Sequence, residues 1–249
     1  MLTDTHCHIY KEYYEDIDNL MVEIEKSGVN RIINNACSYE SCLEVLELSA
    51  KYNNMYCVLG LHPGENLDEI DKVLELLNEN LNIDKVIGVG EIGLDYFYTK
   101  ENKDDQIAVL KRQLEFAEKN NLSVVIHSRE ATGDMLEILK HYKIKGVIHC
   151  FNGSVEVAKE YIKMGYKLGI NGVVTFKNCK LINVIKEIGV DELVYETDSP
   201  YLTPVPFRSR KNNPSYTNYV VDYIAENMGI NREKLVEISN RNIHDIFDI

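Results

Sequence analysis

A chain of 249 residues with 45% hydrophobic side chains can bury a sizeable core, and its length fits one large domain or two small ones. Its 40 acidic against 27 basic residues leave a net charge of −13, which argues against a protein that grips long duplex nucleic acid with a basic face. No apolar stretch can cross a bilayer, no leader-like segment opens the chain and no Pro/Gly/Ser-rich linker interrupts it, so the expectation is a single cytoplasmic domain over 1–249, without a membrane or an obligate protein partner.

Apolar, β-rich runs alternate with helical patterns along the chain. The candidate strands are 2–9, 31–37, 55–62, 85–91, 123–128, 146–151, 167–174 and 192–198. Several are nearly continuous hydrophobic runs, the pattern of parallel strands covered on both faces. Leu67, Ile70, Leu74 and Leu77 share one helical face, as do Ile107, Leu110, Leu114 and Ala117. Ser154 is placed to start a helix and Gly165 to end it. After the eighth strand a loop with Pro200, Pro204, Pro206 and Pro214 leads to two closing helices, near 216–227 and 232–247.

Eight βα units in 249 residues match an α/β fold of the TIM-type (β/α)8 barrel kind, whose active site is built at the C-terminal ends of the strands. A doubly wound open sheet is the alternative. Ligands on its first, fourth, fifth, sixth and eighth strands would hardly converge, whereas barrel closure brings them together.

Five of the seven histidines and two acids fall where the apolar runs end: His6, His8, His62, Glu91, His127, His149 and Asp198. Imidazole and carboxylate are the ligands of hydrolytic metal centres. His6 and His8 form an HxH pair, so on a strand both rings face one side and can chelate one ion. Glu91 follows a pair of glycines flanking Val89, where the backbone can approach a neighbour closely, and a carboxylate there can bridge two ions. His127 and His149 supply the second ion. Asp198 can ligate the first, orient a water and take its proton. Four histidines and two acids exceed the needs of one tetrahedral ion, so the expectation is two divalent ions, with imidazole-rich ligation suiting zinc or manganese.

Other residues have weaker warrants. His62 can contact substrate or give a proton to the leaving group, or can simply be a turn histidine before Pro63. Arg129 and Arg208 offer guanidinium forks for phosphate, with surface ion pairing as the plain alternative. Glu196, two residues before Asp198 on the same strand face, is expected to support a ligand rather than be one. His141 and His244 read as ordinary surface residues on helices. The six cysteines, at 7, 37, 42, 57, 150 and 179, are expected to be reduced and packed as small hydrophobes. Strand alternation would point Cys7 and Cys150 away from the histidines beside them.

The segments Thr3-Asp-Thr-His-Cys-His8, Gly60-Leu-His-Pro63, Gly90-Glu-Ile-Gly-Leu-Asp-Tyr96, His127-Ser-Arg129, His149-Cys-Phe-Asn-Gly153 and Glu196-Thr-Asp-Ser-Pro200 resemble the motif set of TatD-type metal-dependent deoxyribonucleases, within the amidohydrolase-like barrels. The resemblance spans residues 2 to about 246, in order and spacing. It implies one metal on His6, His8, Glu91 and Asp198 and another on Glu91, His127 and His149. It further implies magnesium as a third candidate ion and hydrolysis of DNA phosphodiester bonds, often as a 3′ exonuclease. The net charge of −13 and a recessed barrel mouth, in turn, lead one to expect single-stranded ends rather than continuous duplex as the DNA substrate. Asn152, the run Gly169-Ile-Asn-Gly172 and Arg208-Ser-Arg210 depart from the family pattern without touching a metal position. Two rivals remain: an amidohydrolase acting on an amide, ester or aminoacyl bond, and a non-catalytic metal-binding scaffold.

Overall fold

Eight strands pair in strict sequence order, each parallel to the next, in a computed structural model that describes residues 1–249. The order is β1 Leu2–Cys7, α1 Ile17–Lys26, β2 Val29–Asn35, α2 Tyr39–Lys51, β3 Met55–Leu59, α3 Ile70–Glu79, β4 Val86–Asp95 and α4 Lys103–Lys119. It continues through β5 Ser123–Arg129, α5 Thr132–Leu139, β6 Gly146–Ile148, α6 Val155–Lys163, β7 Tyr166–Ile170, α7 Leu181–Ile188 and β8 Leu193–Tyr195. Helices α8 Thr217–Met228 and α9 Arg232–Phe247 follow. This is the TIM-type barrel that the alternation of elements leads one to expect. No helix is long and apolar enough to cross a membrane.

Closure between β1 and β8 relies on few backbone bonds and several polar side chains. Cys7 bridges Ser199, His8 N donates to Ser199 O at 2.7 Å, and Asp198 N donates to His6 O at 2.9 Å. Below them the buried Asp4 carboxylate accepts from Thr197 N at 3.0 Å and Thr197 Oγ1 at 2.5 Å. The seam thus ties the HxH strand to the segment that carries Asp198.

Inside the lower, N-terminal end of the barrel, Ile33, Val58, Ile87, Val125, Val147 and Val194 meet Ile243, Ile246 and Phe247 of α9. Buried Asn242 of the same helix donates to Leu193 O at 2.8 Å and Asp191 O at 2.9 Å, which fixes the plug under the strands. The larger apolar core lies between the strands and the surrounding helices.

Several expected strands are shorter in fact. β3, β6 and β7 end at Leu59, Ile148 and Ile170 although apolar residues continue, and β8 ends at Tyr195, where the polar Glu196-Thr-Asp198 begins. The cause is burial without pairing: Leu61, Phe151 and Val174 are buried in loops over the barrel mouth, so hydrophobicity there reports enclosure rather than a ladder. β2 runs two residues earlier than expected, and β4 runs on through Asp95, pairing with β5 up to Arg129. A Cβ on Gly60 would lie 2.8 Å from the Gly90 carbonyl carbon, so glycine lets the end of β3 press against the peptide that carries Glu91. Ser154 caps α6 as expected, and Gly165 follows that helix at φ +92°.

Candidate metal centre

Glu91 is the hub of the barrel mouth. Its N–H donates to Ala36 O at 2.8 Å, and its buried carboxylate turns one oxygen to each side. On one side Oε2 lies 3.3 Å from His6 Nε2 and 3.5 Å from His8 Nε2. Asp198 Oδ1 completes the group, 3.7 Å and 3.3 Å from the same two nitrogens, which are 3.1 Å from each other. A tetrahedral ion with ligands at about 2.0–2.2 Å separates its donors by about 3.3–3.6 Å. Three of the five measured edges fall in that range, and the other two, at 3.1 and 3.7 Å, lie just outside it. Two imidazole nitrogens and two carboxylates turned inward at these distances call for a cation between them, so the residues fit a metal ion.

On the other side Glu91 Oε1 lies 2.8 Å from His127 Nδ1, 3.4 Å from His149 Nε2 and 3.7 Å from His62 Nε2. His6 and His149 join the two sides, their rings stacked with centroids 3.7 Å apart. His62 therefore stands beside the second group, and its tautomer follows from its neighbours. Gly64 N donates to Nδ1 at 3.0 Å, which leaves the proton on Nε2, directed at the centre.

What stands behind each imidazole differs. His8 Nδ1 faces Asn35 O at 3.0 Å and Tyr10 Oη at 3.1 Å, while buried His6 Nδ1 has no partner. Behind His127, Asp95 Oδ2 lies 3.1 Å from Nε2. Behind His149, Glu196 Oε1 lies 3.2 Å from Nδ1, too poorly aligned for a full hydrogen bond, and accepts from Cys150 N at 2.7 Å. A carboxylate on the far nitrogen fixes a ring and makes it a stronger donor.

Charge follows this layout. Burial would raise the Glu91 carboxyl, but the surrounding imidazoles, His149 foremost, and the bond with His127 hold it well below the usual carboxylate range. Asp198 is also held low against burial, by its bond with His8 and by His149 and His6. Burial opposes a proton on His149, yet Glu91 and Glu196 push it up to about 9. His127 is raised against burial by Asp95 and Glu91. Burial pulls His6 down, and takes His62 down to about 3, so His62 is neutral.

The centre opens into a cleft of about 970 Å³. Arg129 is the only lysine or arginine lining it, and its guanidinium lies 3.7 Å over the Phe97 ring and 5.2 Å from that of Tyr98. Arg208 does not reach the cleft. It stacks 3.8 Å over Phe176 and donates to Thr203 O at 2.9 Å, contacts that hold it off the cleft that Tyr201 and Leu202 of the same loop line. His141 and His244 are both exposed as expected, but only His244 lies on a helix; His141 falls in the turn after α5, which ends at Leu139.

Two expectations about orientation need correction. Cys150 does not point away from the site but lines the cleft, because β6 has ended and Cys150 takes φ +49°, which breaks strand alternation. Asp198 shares no strand face with Glu196, since β8 ends at Tyr195 and Asp198 adopts φ +58°. Cys7 does turn away, its thiol reaching Ile33 O at 3.5 Å. Sequence reasoning missed Cys37, whose sulfur lies 3.7 Å from both His8 Nδ1 and Glu91 Oε2, and the role of Asp95. Both offered the same signal, a polar or thiol side chain where an apolar run ends: Cys37 closes the expected strand 31–37, and Asp95 closes the run Glu91-Ile-Gly-Leu-Asp95.

A closed parallel barrel whose imidazoles and carboxylates converge at the C-terminal ends of its strands defines a metal-dependent hydrolase. The model of the TatD related DNase family matches residues 3–248, and the chain belongs to that family. It is 38% identical to the uncharacterized metal-dependent hydrolase YabD of Bacillus subtilis, over 100% of both chains. It is 31% identical to the uncharacterized metal-dependent hydrolase YcfH of Escherichia coli K12, over 100% of this chain and 96% of the relative. The crystal structure of YjjV, a TatD homologue of Escherichia coli K12, superposes with a TM-score of 0.92 at 30% identity, covering 100% of this chain and 98% of that one.

Proposed function

We propose that the chain hydrolyses DNA phosphodiester bonds through a binuclear centre, as a 3′ exonuclease that prefers single-stranded ends. The observation that carries the binuclear reading is Glu91, whose two oxygens each face a separate group of imidazoles. His6, His8, Glu91 and Asp198 would hold one ion, and Glu91, His127 and His149 the other, with magnesium, zinc and manganese as candidates. Such ions supply Lewis acidity toward a phosphoryl oxygen and acidify water.

The residues then divide the work. Asp198, kept ionised by its histidine neighbours, orients the attacking water and takes its proton on the carboxylate oxygen that does not face the ion. His62, neutral with its proton on Nε2, hydrogen-bonds a non-bridging oxygen; it is not charged for acid catalysis in the resting site. Arg129 forks an adjacent phosphate, and the exposed rings of Phe97 and Tyr98 offer bases a face to stack on.

Charge refines the choice of substrate. Glu91 and Asp198 alone would leave two divalent ions net positive. Asp95 and Glu196 behind the histidines bring the count to four negative charges against four positive. Phosphate is therefore held by direct ligation and by Arg129 rather than by a broad positive field. The rim over β1 to β3 carries Glu12, Glu40, Glu44 and Glu65, which repel a strand that runs on across the mouth. An end is tolerated and a continuous duplex is not.

The test is cleavage of end-labelled single strands, blunt duplex and covalently closed circles across a salt range. The expected result is loss of terminal nucleotides from single strands, with a log–log salt slope of about −1 to −3. Preferential nicking of closed circles, or a steep slope, would refute end recognition. The same acidic rim also suits an uncharged or cationic substrate, as an amide or ester hydrolase would use. Turnover of an amide and ester panel in the absence of any nuclease activity would replace the first reading with this one.

A further inference from the structure

Helix α4 carries two glutamines, Gln106 and Gln113, seven residues apart and so on one face, both buried where the apolar stripe would call for hydrocarbon. Each grips both backbone polar groups of a single residue in a neighbouring segment with the two ends of its amide. Gln113 Oε1 accepts from Leu61 N at 2.8 Å and its Nε2 donates to Leu61 O at 3.0 Å. Gln106 Oε1 accepts from Asp95 N at 2.9 Å and its Nε2 donates to Asp95 O at 3.0 Å. A buried peptide at the end of a strand needs partners for both groups, and these amides supply them.

The two grips differ in what lies beyond. Leu61 ends in hydrocarbon, but Asp95 carries a carboxylate with both oxygens engaged. Oδ1 accepts from Phe97 N at 2.9 Å, and Oδ2 faces His127 Nε2 at 3.1 Å. The opposite corner of the His127 ring, Nδ1, stands 2.8 Å from Glu91 Oε1. The ring is thus held between two carboxylates, and the rear one is immobilised from α4. Without Gln106 the Asp95 peptide could rotate toward other partners, and the carboxylate would swing off the imidazole.

We propose that Gln106 is a positioning residue of the metal centre: by locking the Asp95 peptide it aims the Asp95 carboxylate at His127 and sets the ring so that Nδ1 serves the ion. This rests on the reading above that His127 holds an ion. Removing a partner behind a metal-binding histidine costs about 10- to 100-fold in affinity.

The experiment titrates apoprotein with Zn²⁺ against a chromophoric chelator for wild type, Gln106→Met, Asp95→Asn, the double variant and His127→Ala. Asn242→Leu serves as a control, since it removes an equally buried amide grip from the plug at the far end of the barrel. His127→Ala should lose one ion. Gln106→Met and Asp95→Asn should each weaken that ion by about tenfold, and the double variant should be no weaker than the worse single, because both act through one ring. Asn242→Leu should lower the Tm and leave both affinities at the wild-type level. If Gln106→Met does not fold, Gln106→Asn keeps an amide but is one methylene too short for the grip, and should show the same fall. Wild-type affinity in a folded Gln106 variant, or single losses that multiply in the double, would overturn the proposal while His127→Ala still loses its ion. Unchanged binding in His127→Ala would instead overturn the binuclear reading, and this proposal with it.

Discussion

The two halves of the centre use the same side chain and brace it differently. His6 and His8 stand two residues apart where β1 ends, so the strand itself sets both rings; no group backs His6 Nδ1, and a carbonyl, a hydroxyl and the Cys37 thiol, but no acid, back His8 Nδ1. His127 and His149 come from separate strands, and each has an acid at its back. A strand can aim two neighbours at once. Ligands from different strands must be aimed one by one, and a carboxylate does this while raising the donor strength of the imidazole. The His127–His149 half should therefore hold its ion by stronger imidazoles, and the His6–His8 half by a second direct carboxylate, Asp198.

Glu91→Ala should erase the contrast altogether, because that carboxylate belongs to both halves. Elemental analysis should fall from about two ions per chain, and turnover should drop to background. Retention of both ions would mean the halves are independent. Asp198→Asn acts on the His6–His8 half alone. It keeps a ligating oxygen, removes a proton acceptor, and should cost on the order of 10²-fold in kcat with the other ion undisturbed. Normal turnover with both ions bound would make Asp198 structural.

pH should act on both halves by a smaller factor, because His8 is held well above the ordinary imidazole range, against burial, by Cys37, Asp198 and Glu91, as His149 is by Glu91 and Glu196. With His149 pushed up to about 9, its imidazole carries a proton at neutral pH that must leave before an ion binds. Affinity on that side should rise by about tenfold per pH unit below this value and level off above it. His149→Ala should remove the corresponding proton release, read with an indicator dye during metal titration. The mildest change is Arg129→Ala, which leaves both halves intact. It should raise KM by about three- to tenfold, the scale of one exposed charge-assisted bond, and leave kcat alone. A fall in kcat would place Arg129 at the reacting phosphate itself.

How much was legible in the sequence follows the same division. Alternation along β1 is a property of local backbone, so the facing of His6 and His8 could be read directly. The barrel was legible because each strand pairs with its neighbour in sequence. Where the chain leaves the ladder, local rules stop. The left-handed turns at Cys150 and Asp198 redirected side chains that a period of two had aimed elsewhere. The braces are harder still. Asp95 meets His127 across 32 residues, and Gln106 meets Asp95 from a helix whose stripe predicts only hydrocarbon. Long-range polar pairing leaves no periodic trace.

The plug of α9 under the barrel bears on traffic. Ile243, Ile246 and Phe247 fill the lower interior together with strand valines and isoleucines, so no tunnel runs from the mouth to the far side. Under the proposed function, whatever is cut must back out through the opening by which it came in. A released fragment and the next incoming end then compete for one doorway. The chain should behave as a distributive enzyme that lets go after each cut, with its own product as a competitive inhibitor.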